Sequence, residues 1–243
     1  PKPEEIRIFL SKKNVSDFMW EIGKIIYGFI RPIIPPNFQF TTDNFIAIKE
    51  GFAPTASEKN QIEFLVELYS RLSQIEDKID KELIKKEEFQ LYIQRFLDAI
   101  KHEQYEGKKI AFKNILINIA TGKTKNNFEI EYLISNLMNF SDLHFMILSY
   151  FNRPEQTLID CKIDMQSLKH SSGGENDILK KVFKDIDSEL INVASKELYE
   201  KKFISVQIPF GGGLHSANDY ERLTQDYLTS LGKKLINFCL DEN

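Results

Sequence analysis

SELINVASKELYEKKFISVQIPFGGGLHSANDYERLTQDYLTSLGKKLINFCL, residues 188–240, is the stretch whose reading decides the fold. Leu190, Ile191, Ala194 and Leu198 recur at helical spacing and mark a buried side. FISVQI (203–208) reads as a first wing strand, with Phe203, Val206 and Ile208 as its candidate packing residues. Gly211, Gly212 and Gly213 give the following tip its conformational freedom. NDYERL (218–223) reads as the return strand. LTSLGKKLINFCL (228–240) closes as a helix through Leu228, Leu231, Leu235, Ile236 and Phe238.

Two helical segments precede this stretch. Asn139-Phe140-Ser141-Asp142 has capping character, and DLHFMILSYF (142–151) follows as a compact apolar helix that Pro154 ends. SSGGEND (171–177) has the composition of a flexible linker. A second helix is expected over Asp177–Asp185, and the third runs from Asp187 to Lys202. Three helices followed by a small hairpin make a winged-helix-like order. In the third helix Asn192, Ser195, Lys196 and Tyr199 are expected to face outward. With Lys201 and Lys202 they are the candidate contacts to DNA or to a protein partner.

Upstream, Ile62, Leu65, Tyr69, Leu72, Ile75 and Ile79 define an amphipathic helix of about six turns starting near Ser57. A second spans Lys86–Gln104 through Phe89, Tyr92, Ile93, Phe96, Leu97 and Ile100, and Gly107 interrupts the pattern. A third, Lys108–Ala120, is apolar on several sides, as a central helix should be, and Thr121-Gly122 stops it. A fourth, Asn127–Met138, carries Phe128, Tyr132, Leu133 and Leu137. Short polar turns between them predict an antiparallel bundle. Before the bundle, a helix over DFMWEIGKIIYGFI (17–30) starts at Ser16 or Asp17, and Glu21, Lys24 and Arg31 make it too polar to span a membrane. A core-docked helix is the expectation, with an interfacial membrane helix as the alternative. FQFTTDNFIAIKEGF (38–52) reads as a small hairpin.

The fold class is therefore mainly α: a helical bundle followed by a winged-helix-like domain with a small β-hairpin. The expected organisation is an N-terminal segment (1–57), a helical bundle (58–139) and a winged-helix-like domain (140–243) containing a linker at 152–176.

The chain of 243 residues carries 42% hydrophobic residues and 19 Phe, enough to build a core. Two cysteines, Cys161 and Cys239, make no disulfide framework, and the expected compartment is the cytoplasm. Pro1 opens the chain in place of Met, as in a trimmed chain, and no signal-peptide pattern is present. The formal charge is −4, and residues 187–243 hold six Lys or Arg against nine Asp or Glu. A DNA reader draws affinity from basic contacts to phosphates, so this balance weighs towards protein contacts. The tip PFGGGLHSAN (209–218) contains no Lys or Arg.

No catalytic constellation stands out, and no cofactor or metal site is expected. TGKT (121–124) ends like a phosphate-binding loop, but Ile117 stands where that loop needs glycine, and a helix precedes it instead of a strand. Gly211–Gly213 beside His215 and Ser216 read as a mobile tip in preference to an anion nest. His102, His144, His170 and His215 show no ligand spacing with one another or with cysteine. His144, inside an apolar helix, is expected to be a satisfied core or boundary residue. Carboxylates such as Glu76-Asp77 and Glu87-Glu88 sit among lysines on solvated faces.

Two resemblances carry expectations about function. KELYEKKFI (196–204) with YERLTQDYLTSLGKKLINF (220–238) is similar to the L…L…KGLI…LT..G…L ending of many bacterial winged-helix proteins. Lys202 stands where the turn glycine is common, and an irregular stretch separates the first two helices. The segment from Leu65 to Gly122, with LISNLMNFSDLHFMILSYFNRPEQ (133–156), resembles a loose group of bacterial and prophage helical proteins with a winged-helix-like tail, of which the abortive-infection alpha type is a named relative. That resemblance implies a bacterial protein tied to mobile elements or phage defence. The expectation is a non-enzymatic interaction protein with a protein partner or self-association, and a winged-helix DNA-binding regulator is the alternative.

Overall fold

The computed structural model describes residues 17–32, 55–103, 105–123, 126–163, 175–205 and 227–239. The chain divides into two compact units, Pro1–Glu131 and Tyr132–Asn243. Among the described residues there are eleven α-helices and no strand, so the protein is mainly α. The division falls inside a helix, Asn127–Asn139, and not after it.

In the first unit, α1 (Asp17–Ile30) packs on α2 (Ala56–Gln74). Met19, Ile22, Ile26, Tyr27 and Ile30 are buried, so α1 is a docked helix. The hairpin expected over 38–52 lies outside the described residues. A capping box at Thr55 and Glu58 starts α2, satisfying donors that the first turn leaves open. The expected six-turn helix to Ile79 stops instead at Gln74. The Ile75 N–H bonds the Leu72 carbonyl in a tightened last turn, and a 3₁₀ turn covers Glu76–Lys78. Asp80 then caps α3 (Lys81–Lys85), because its side chain accepts from the Glu82 and Leu83 amides. Ile79 still reaches the core from this turn.

The helices α2, α4 (Glu87–Ile100) and α5 (Glu106–Ala120) pack against one another pairwise, and α3 lies on α4 and α5. α4 ends at Ile100, four residues before the expected Gln104. Gly107 does not interrupt the pattern but lies in the first turn of α5, where helical amides need no intrahelical acceptor. From Ala111 to Ala120 α5 is buried on every side, as its sequence predicts. Phe96 and Phe112 stack at 4.5 Å between α4 and α5. Gln61, Lys109 and Lys113, buried along this seam, have partners. Gln61 donates to the Leu97 carbonyl at 3.1 Å, Lys109 to Asn60 and Glu106, and Lys113 pairs with Glu67.

In the second unit α7 (Asp142–Asn152) packs against α8 (Pro154–Asp160), α10 (Ser188–Glu200) and α11 (Ser230–Cys239), while α9 (Glu175–Val182) packs on α10. The linker expected over 152–176 is corrected at both ends. Pro154 begins α8 at its first position, where proline loses no hydrogen bond, and Leu158 buries that helix. The chain is helical again from Glu175, and 164–174 lie outside the described residues. The helix between the two halves of the chain, α6 (Asn127–Asn139), buries Leu133 and Leu137 but leaves Phe128 90% exposed.

The exit from α10 is closed by a Schellman turn. Phe203 N–H reaches the Leu198 carbonyl, Lys202 N–H reaches the Tyr199 carbonyl, and Lys202 takes φ 65°. The lysine thus occupies the left-handed position that glycine usually fills. Gly122 closes α5 and Lys162 closes α8 in the same way, at φ 65° and 54°. Beyond the turn, Ile204 and Leu228 form an isolated antiparallel bridge, with Ser205 N–H on the Tyr227 carbonyl. The expected β-hairpin is therefore no more than this bridge among the described residues. Phe203 is held in the helix-ending turn, and Thr229 opens α11 one residue after Leu228. Val206, Ile208, Gly211–Gly213 and 218–223 lie outside the described residues.

Thr229 joins the two ends. Its N–H and hydroxyl donate to the Phe203 carbonyl, its hydroxyl also to that of Lys202, and its Oγ1 accepts the Gly232 amide at the start of α11. A Cβ on Gly232 would stand 2.1 Å from the Phe203 carbonyl oxygen. Gly232→Ala should therefore cost about 1–3 kcal/mol or more through backbone overpacking. Lys202→Gly should gain up to about 0.5 kcal/mol, as relief of the left-handed lysine slightly exceeds the lost cation–π contact with Tyr199 and the added freedom of the unfolded chain. Urea unfolding followed by labelling of buried Cys239 checks both signs; equal midpoints for the two variants would contradict this geometry.

Candidate functional site

The six candidate contact residues lie on α10 or just after it. Asp187 caps α10 by accepting the Glu189 amide, which fixes where the first turn begins. From there the apolar pattern admits two registers, and the protein uses Ile191, Ala194 and Leu198 together with Asn192 and Ser195. Asn192 is 6% exposed and Ser195 is 0% exposed, so neither faces outward as expected. The Ser195 hydroxyl donates to the Ile191 carbonyl at 2.7 Å, which lets a serine enter the core without losing a hydrogen bond. The Asn192 Oδ1 is buried without an acceptor bond among the described residues. Leu190, expected in the core, is 58% exposed and Val193 is 51% exposed. The buried side is turned by roughly 60° about the helix axis from the expected one.

The remaining candidates are held within the unit to different degrees. Lys196 is exposed and pairs with Glu200 at 3.8 Å. Tyr199 is half-buried, and Lys202 Nζ lies 5.0 Å from its ring centre. Lys201 donates to Asn136 Oδ1 at 2.8 Å, sits over the Phe140 ring, and its carbonyl accepts the Tyr132 hydroxyl. Lys201 is thus engaged by α6, and Lys196 and Lys202 are the lysines of this group that face solvent. Around Leu190 and Val193 the outward surface carries Asp187, Glu189, half-buried Glu197 and Glu200. It is an apolar pair with an acidic border.

His144 lies behind this face. It is buried, its Nδ1 accepts the Ser141 backbone N–H at 3.1 Å, and its Nε2 lies 2.8 Å from Glu197 Oε2. An accepting Nδ1 places the proton on Nε2, which donates to the carboxylate. The imidazole stacks on Phe140 at 4.8 Å, nearly parallel. Ser141 Oγ stands 2.8 Å from the same Nδ1, so serine, histidine and glutamate line up as in a nucleophile relay. The lone pair a general base would use is already taken by the backbone amide. The group works as a cap on α7 and a clasp to α10. The expectation of a satisfied core histidine describes it well, though its partner is 53 residues away.

Burial also shifts groups elsewhere among the described residues. Burial pushes the Cys239 thiol well above its usual range, which suppresses the thiolate. Burial, reinforced by Glu76, raises Tyr69 to about 12, and burial with Glu131 raises Tyr92 to about 12. An open surface depression of about 460 Å³ is bordered by Ser73, Gln74, Glu76, Asp77, Ile79 and Lys81. Among the described residues no three His, Cys, Asp or Glu converge as metal ligands. No described helix is long and apolar enough to cross a membrane. No protein family, curated protein or solved structure matches the chain.

The two cysteines give a direct check on the second unit. Cys161 is exposed and Cys239 is buried. A thiol reagent should label Cys161 at the rate of a free peptide and Cys239 only through unfolding, at least about a hundredfold slower. Equal rates would mean that α11 does not bury its inner face.

Proposed function

We propose that this chain is a non-enzymatic interaction protein whose second unit is a winged-helix-like module that binds protein. The helix order α7, α9, α10, the bridge between Ile204 and Leu228, and closing helix α11 support the winged-helix comparison. So do the left-handed turn at Lys202 and the close approach at Gly232, which sit at the two glycine positions of the resembling pattern. The observation that carries the functional reading is the surface of α10. In a DNA-reading winged helix this helix enters the major groove and presents donors and cations to bases and phosphates. Here it presents Leu190 and Val193 with Glu189 and Glu200, and two of the polar candidates are buried. Exposed apolar side chains on such a helix fit a protein surface better than a phosphate backbone. A role in mobile elements or phage defence rests on the resemblance of residues 65–156.

Gel-shift titration with mixed-sequence duplex DNA at low salt, where phosphate contacts bind most strongly, tests the choice. No shift is expected for the wild type. A salt-sensitive shift that weakens in Lys196→Glu would replace this reading with that of a DNA-binding regulator.

A further inference from the structure

We infer that the outward face of α10 docks a basic amphipathic helix of a partner protein. The inference rests on the reading of the second unit as a protein-binding module and names the chemistry of what it binds. Leu190 and Val193, three residues apart, form one short apolar stripe at more than half exposure each. Asp187, Glu189 and Glu200 are exposed around it, and Glu197 is half-buried with one oxygen on His144. Among the described residues of α10, Lys196 is the cation on this face, and it pairs with Glu200 at 3.8 Å. An apolar stripe bordered by carboxylates is complementary to a helix bearing leucine-like anchors flanked by Lys or Arg. It disfavours a second copy of the same face, because a two-fold contact would set glutamates against glutamates. It equally disfavours nucleic acid, whose phosphates would meet the same carboxylates. The face is firmly placed, since α10 is tied to α7 by the clasp from Glu197 to His144 and to α6 by Lys201.

The probe is a fluorescein-labelled helical peptide of Leu and Lys, followed by polarisation with the full chain, beside a Leu and Glu twin. Wild-type protein should bind the Lys peptide with an affinity that falls as ionic strength rises, and should not bind the Glu twin. Leu190→Ser with Val193→Ser should weaken binding about thirtyfold. Glu189→Lys with Glu200→Lys should weaken it about tenfold. All four side chains are exposed, and unchanged circular dichroism and melting confirm that each variant folds. Absence of binding, or binding indifferent to both pairs, overturns the inference. Equal binding of the Glu twin overturns the basic class of partner while leaving a protein-binding module intact. A dimer by light scattering that Leu190→Ser with Val193→Ser dissolves would make the occupant a second copy and also overturn it. A DNA shift in the gel assay removes the underlying reading instead, so the two failures are separable.

Discussion

The Phe203 carbonyl is where the second unit is pinned. It accepts the Thr229 amide and shares the Thr229 hydroxyl, and Gly232 passes so close that no side chain fits there. A chain that must leave a helix, turn through a left-handed residue and meet the start of another helix has little freedom in where it points. The turn at Lys202 sets the direction of exit, and Thr229 fixes the entry of α11. With those two ends joined, Ile204 and Leu228 must lie side by side. Phe203 is left against Phe140, at 5.5 Å edge to face, and Phe140 in turn stacks on His144. The position of α10 against α7 therefore follows from a few backbone contacts and one aromatic chain.

That position determines which residues α10 can offer. Ser195 looks like a surface residue in a sequence because serine usually is one. On a helix, however, its hydroxyl can return to the carbonyl four residues back, and this is what it does with Ile191. Once Ser195 and Asn192 are inside, Leu190 must rotate out, and Val193 with it. The result inverts the chemistry expected of the face, from polar donors to an apolar pair with carboxylates around it. The net acidity of residues 187–243 points the same way, but charge counting alone does not reveal which side chains are presented.

Much of the architecture was readable from local rules. The buried stripe of α4, the encirclement of α5 and the stop at Gly122 follow from periodicity and glycine chemistry. The pattern also carried LT..G, whose three positions prove to be the bridge residue Leu228, the capping Thr229 and the close-approach Gly232. What was not readable depended on choices between equivalent patterns. Ile191, Ala194 and Leu198 fit the buried side in either register, and only packing against α7 and α9 decides whether Leu190 or Ser195 joins them. In the sequence Pro154 reads as the end of α7, although proline suits a first helical position equally well. The end of α2 at Gln74 hinges on Asp80 capping a new helix, a signal easily lost beneath a continuing apolar repeat.

The central claim is the rotation of α10, and single-cysteine accessibility measures it most directly. In a chain with Cys161 and Cys239 replaced by serine and alanine, cysteines would be placed one at a time at positions 190, 192, 193 and 195. Each variant's thiol labelling rate would be compared with that of a free peptide. Positions 190 and 193 should react nearly as fast as the peptide, and 192 and 195 should be slower by about a hundredfold or more. Fast labelling at 192 and 195 with protection at 190 would restore the polar outward face and contradict the account.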